Sequence, residues 1–162
     1  MPLSGKDDHP ALLPPGNHRM TLDDLRSLCV EGFPHSTSRP RIAAGLEQVL
    51  QRVEKAGIRA DVWIDGSFLT EKPDPEDADI VLRISIADLA TPTREQTETL
   101  DWLNLDLKPE FLCDSYFFFV FPGDDARADF GAEMEAYWKR QFGFSRSEDA
   151  KGIAVLQTGA GR

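Results

Sequence analysis

The sequence predicts an α+β (α/β) fold in which helices pack against one mixed β-sheet. Three observations carry that reading. Segments with helical apolar spacing alternate with short β-branched runs, in the order helix, strand, strand, helix, strand, helix, strand. The run Phe111-Leu112-Cys113-Asp114-Ser115-Tyr116-Phe117-Phe118-Phe119-Val120-Phe121 is the most apolar and β-prone stretch of the chain. A chain of 162 residues, 41% hydrophobic and 28% charged, suits one compact domain that buries its core without staples.

Each element has a local reason. Residues 1–20 are rich in Pro, Gly and charge, and Leu12-Leu13-Pro14-Pro15-Gly16 reads as part of a flexible, extended N-terminal arm. The single domain is then expected to span 21–162. Thr21 with Asp24 three residues on forms a capping-box pattern, so a short helix starts there and ends before Gly32. A longer helix is expected from Pro40 to Gly57, with Ile42, Leu46, Val49, Leu50 and Val53 as its buried stripe. Strands are expected over about 60–64 and 77–86, joined by the proline-stiffened loop Glu71-Lys72-Pro73-Asp74-Pro75-Glu76. Thr93 and Gln96 repeat the capping-box pattern and lead a helix toward Leu105. The Phe-rich strand comes next, then a helix over about 126–142 with Phe130, Met134, Tyr137, Trp138 and Phe142 on one side. Gly152 to Leu156 reads as a final strand.

Charge and cysteine usage exclude several classes. A formal net charge of -10 and a pI near 4.7 make nucleic acid an unsuitable partner, because phosphate neutralisation needs clustered Lys and Arg. A basic protein partner suits this surface better. Cys29 and Cys113 are far apart and no CxxC or Cys/His cluster is present, which argues for two reduced, buried thiols rather than a zinc site or disulfide. Neither a signal-peptide run in the first ten residues nor a segment approaching the roughly 20 apolar residues of a membrane span is visible, so a cytoplasmic location is expected.

One stretch has spacing that implies chemistry. Val62-Trp63-Ile64-Asp65-Gly66-Ser67 reads as an apolar strand ending in a Gly-Ser turn, and Asp77-Ala78-Asp79-Ile80-Val81-Leu82 as a second strand opening on two acids. Side chains two apart on a strand share a face, so both carboxylates project together. The turn beside them lets a backbone without Cβ approach a phosphate. Asp114, on the later Phe-rich strand, is the best candidate for a third acid, with Asp124 and Asp129 as rivals. Clustered carboxylates repel one another and favour a hard divalent cation. A triphosphate at the same place needs cations, for which Lys72, Arg83, Arg146 and Lys151 are the candidates, Arg83 because it shares the strand face of Asp77 and Asp79.

At these residues the chain resembles the nucleotidyltransferase superfamily of the DNA polymerase β type, in its minimal bacterial form. The family pattern is an apolar strand, Gly-Ser, a spacer, acid-apolar-acid-apolar and a later acid on another strand. Here it reads Ile64-Asp65-Gly66-Ser67, nine residues, Asp77-Ala78-Asp79-Ile80, and then Asp114. The resemblance covers roughly residues 60 to 115. It implies a nucleotidyltransferase-like mixed sheet and a nucleotide site at Gly66 and Ser67, with Ser67 on the triphosphate; Lys72, Arg83 and Lys151 are expected to complete that site on the charge argument above. It further implies Mg2+ or Mn2+ on Asp77, Asp79 and Asp114, with Asp114 also serving as base. The activity implied is transfer of an NMP group, AMP from ATP, to a hydroxyl on a protein or small molecule, as in antitoxin-type members. The alternative is a non-catalytic protein of the same fold that inhibits or scaffolds a basic partner. Phe68-Leu69-Thr70 favours that alternative, because family members often carry a basic residue shortly after Gly-Ser.

Overall fold

The computed structural model describes residues 8–159. Five strands form one sheet in the order β1-β5-β2-β3-β4. They are β1 (Gly16–Arg19), β2 (Ala60–Asp65), β3 (Ala78–Ser85), β4 (Cys113–Val120) and β5 (Gly152–Thr158). β2 runs antiparallel to both β3 and β5, while the outer pairs β3·β4 and β1·β5 are parallel. The general α+β class with a mixed sheet is therefore present.

The helices are α1 (Leu22–Arg26), continued by a π-helical turn over Ser27–Glu31, α2 (Arg39–Lys55), α3 (Arg94–Leu103), α4 (Lys108–Phe111) and α5 (Ala128–Gly143). Both capping boxes form, Thr21 with Asp24 and Thr93 with Gln96, so two helix starts arise directly from side-chain chemistry. Among the described residues no helix is long and apolar enough to cross a membrane. Cys29 and Cys113 are buried free thiols, each pushed up to about 12 chiefly by burial.

The two faces of the sheet are covered unequally. Ile64 of β2, Ile80 and Leu82 of β3 and Ala154 of β5 point to one side, where Ile42, Leu46, Val49 and Val53 of α2 complete the main core. The opposite side carries a smaller cluster of Trp63, Val81, Phe118, Ile153 and Val155 under Phe142, Met134 and Trp138 of α5. This parity reflects the two-residue period of strands. Gly45 lets α2 approach α4, since a Cβ there would stand 1.9 Å from the Phe111 carbonyl oxygen.

Two expectations change. Residues 8–20 are not a free arm: Gly16–Arg19 hydrogen-bonds in register with Gly152–Val155 as an edge strand, and Leu12 and Leu13 pack against the main core. Proline and glycine keep that segment out of a helix but leave it free to be an edge; residues 1–7 lie outside the described residues. The α5 stripe is also split. Met134, Trp138 and Phe142 pack on the sheet, whereas Phe130 (60% exposed) and Tyr137 (51%) remain largely open to solvent.

Candidate functional site

At one end of the thinly covered face, three strands each present an aspartate in the same row. Asp65 is the register partner of Asp79 across β2·β3, and Asp79 is the register partner of Asp114 across β3·β4. Residues directly opposite on adjacent strands share a face, so the three carboxylates stand side by side. Asp77, just ahead of β3, joins them through Lys108, whose Nζ lies 3.0 Å from Asp77 Oδ2 and 4.0 Å from Asp114 Oδ2. Lys151, just ahead of β5, places its Nζ 3.1 Å from Asp65 Oδ1. Four carboxylates thus face two ammonium groups.

The glycine–serine turn fits against this row. Gly66 has φ +86°, and a Cβ there would stand 2.6 Å from Asp79 Oδ2, so only glycine allows the turn to close over the Asp79 carboxylate. Its N–H donates to Asp65 Oδ1 at 2.9 Å. Ser67 opens a short 3-10 turn, Ser67–Leu69, its carbonyl accepting from the Thr70 hydroxyl at 2.7 Å. Beyond this turn the chain is clamped by Arg39. That fully buried guanidinium donates to the carbonyls of Cys29, Phe68, Thr70 and Lys72 at 2.6 to 2.9 Å and lies over the Phe33 ring. Asp74 completes the attachment: its Oδ1 accepts from the Thr37 N–H and the Ser36 hydroxyl at the start of α2, which hold its carboxyl below the usual range. The spacer between Ser67 and Asp77 is therefore fixed from both sides.

Burial and crowding set the electrostatics. Asp65 is 1% exposed, its Oδ2 is buried without a hydrogen-bond partner, and burial pushes its pKa up to about 7 against the pull of Lys151. Asp79 is pushed up to about 6, first by burial and then by Asp77 and Asp114. Such displaced carboxyls concentrate where charge is to be balanced by a ligand, although structural ion pairs shift them too. Asp65, Gly66, Asp79, Asp114 and Lys151 line one side of a cavity of about 270 Å³, closed on its other side by α5.

The expected site residues divide clearly. Asp77, Asp79, Asp114, Gly66 and Lys151 come together, with Ser67 next in the chain to Gly66. Arg83 does not. It shares the sheet face but lies four residues up β3, about 13 Å along the strand, and pairs with Glu135 and Asp61. Lys72 contributes its carbonyl to Arg39, and its side chain does not line the cavity. Arg146 lines a separate hollow with Arg140 and Phe144. Trp63 is buried in the core, and Asp124 and Asp129 are not in the cavity wall.

Sequence reasoning passed over two members, Asp65 and Lys108. Asp65 carried a signal, since it has the parity of Trp63 and immediately precedes Gly-Ser; Lys108 carried none, because its one-turn helix depends on packing against α2.

Oxygen donors with two unbalanced negative charges match a hard divalent ion in donor type and charge. As they stand, no group of three or more His, Cys, Asp or Glu among the described residues is gathered tightly enough to hold a metal. Comparison with curated proteins and with solved structures gives no match. One family model does match, over residues 6–157. The chain belongs to that family, a family of unknown function (DUF6932).

Proposed function

We propose that this chain is a metal-dependent nucleotidyltransferase that moves an NMP group, AMP from ATP, to a hydroxyl on a protein or small molecule. The observation that carries the reading is the aspartate row, Asp65, Asp79 and Asp114 in register with Asp77 alongside, pressed against a Gly66–Ser67 turn that only glycine permits.

In the transfer, the acceptor oxygen forms a bond to the α-phosphorus, the bond to pyrophosphate breaks, and the acceptor proton passes to a base. Asp114 suits that role because its side chain is more open than those of Asp77 and Asp65. Asp77, Asp79 and Asp114 would hold Mg2+ or Mn2+, which supplies charge neutralisation of the phosphates and of the leaving pyrophosphate. Lys108 and Lys151 each pair with an acid and stand at opposite ends of the row. Both are placed to exchange a carboxylate for a phosphate oxygen.

The test is incubation with ATP labelled at the α-phosphate, magnesium and candidate acceptors. Label transfer that disappears in Asp77→Ala supports the reading; no transfer and no pyrophosphate release with any acceptor counts against it.

A second reading, a non-catalytic protein that binds a basic partner, is favoured by one observation. The residues after the turn, Phe68 and Leu69, are buried in the core and offer no cation to a phosphate. It predicts partner binding that survives Asp77→Ala.

A further inference from the structure

The α5 wall of the cavity is chemically unlike the strand wall. It carries Tyr137, Trp138 and Gln141, and Tyr116 of β4 joins them from the strand side. Tyr116 is two residues beyond Asp114 on the same strand face, and its hydroxyl donates to Asp114 Oδ2 at 3.0 Å, so its ring is held beside the acid row. Its ring centroid is 4.7 Å from that of Trp138, and Tyr137 meets Trp138 edge-on at 5.1 Å. This is a fixed aromatic cluster rather than loose surface residues. Tyr137 is 51% exposed and Tyr116 38%, so both rings can be reached by a ligand in the cavity. Gln141, one turn along α5, is exposed at the same rim, and its side-chain amide bonds to no other described residue.

A cavity that holds both aromatic rings and a row of acids flanked by Lys108 and Lys151 offers partners for both parts of a nucleotide, its base and its metal-bound phosphates. We infer that Tyr116, Tyr137 and Trp138 form a base-stacking subsite and that Gln141 reads the base edge, making the ligand an adenine nucleotide. A planar base gains from stacking on such rings whatever its identity. A glutamine amide adds selectivity, because its donor and acceptor match the N6 and N7 positions of adenine. The inference rests on the nucleotide-transfer reading of the same cavity but concerns the half that touches no phosphate.

The experiment compares two ligands that share the phosphates and differ in the base. Mg-ATP and magnesium with inorganic triphosphate are titrated calorimetrically into the full chain and into Tyr137→Ala, whose exposed position leaves the fold intact. The native chain is expected to bind ATP more tightly than inorganic triphosphate, and Tyr137→Ala to weaken ATP about tenfold while leaving triphosphate unchanged. ATP is also expected to bind more tightly than GTP, by a margin that Gln141→Ala narrows. Equal binding of ATP and triphosphate by the native chain, or equal losses for both in Tyr137→Ala, overturns the base subsite and leaves the transferase reading standing. Equal binding of ATP and GTP overturns the role of Gln141. Binding of neither ATP nor triphosphate overturns both the subsite and the transferase reading.

Discussion

The two faces of the sheet are built from the same strands and treated oppositely. One is sealed by α2 over a continuous aliphatic core; the other is covered by α5 alone and ends in a row of aspartates. Side chains alternate along each strand, so Ile64 and Asp65, or Ile80 and Asp79, sit one residue apart in wholly different surroundings. The difference teaches that the aliphatic core and the clustered charge are divided between faces. The acids can be held together at an energetic loss because the sealed face bears that loss.

The largest effect should come from removing the clamp on the sealed side. Arg39→Met leaves the carbonyls of Cys29, Phe68, Thr70 and Lys72 without their donor, three of those bonds buried, and should cost about 3–5 kcal/mol in urea denaturation. A loss below about 1 kcal/mol would mean that the spacer is not held by this residue. Leu46→Ala, fully buried in the same core, should cost about 3 kcal/mol through lost burial and a residual cavity. An equal loss from a cluster residue under α5 would erase the contrast between faces.

On the acidic face the sign should reverse. Asp65 and Asp79 are raised from 3.8 to about 7 and about 6. Between about pH 4 and 7 the folded chain therefore holds protons that the unfolded chain has released. Its stability falls as pH rises through that window, and the loss is complete above about pH 7. Asp79→Asn should add about 2 kcal/mol at pH 7.5, add little at pH 4, and flatten the profile, while abolishing transfer. Denaturation midpoints at several pH values decide this, and a destabilised Asp79→Asn at pH 7.5 would show that the acid is structural. The smallest effect is expected at the exposed rim, where Tyr137→Ala should cost no more than about 1 kcal/mol through the lost edge contact with Trp138.

Much of the architecture was legible because it is local. The Thr21 and Thr93 caps, the α2 stripe and the turn at Gly66 depend on residues within one helical turn or one bend of each other. Asp77, Asp79 and Asp114 could be singled out because acids that open or interrupt apolar strands are costly unless paired. Arg83 was misplaced by face parity alone: parity fixes which side a residue takes but not how far along the strand it lies. The edge strand Gly16–Arg19 was illegible because its reason for existing, the open backbone of β5, is more than 130 residues away in the chain.

By itself, then, the sequence determined an α+β domain with paired acids beside a glycine–serine bend, since propensity, capping and alternation act between near neighbours. Tertiary structure decided the register that lines Asp65 up with Asp79 and Asp114, the pairing of Lys108 with Asp77 and of Lys151 with Asp65, and the approach of α5 with its rings. Those placements depend on strand register and on helix packing across the sheet, which are fixed by contacts between distant segments and leave no periodic trace in the chain.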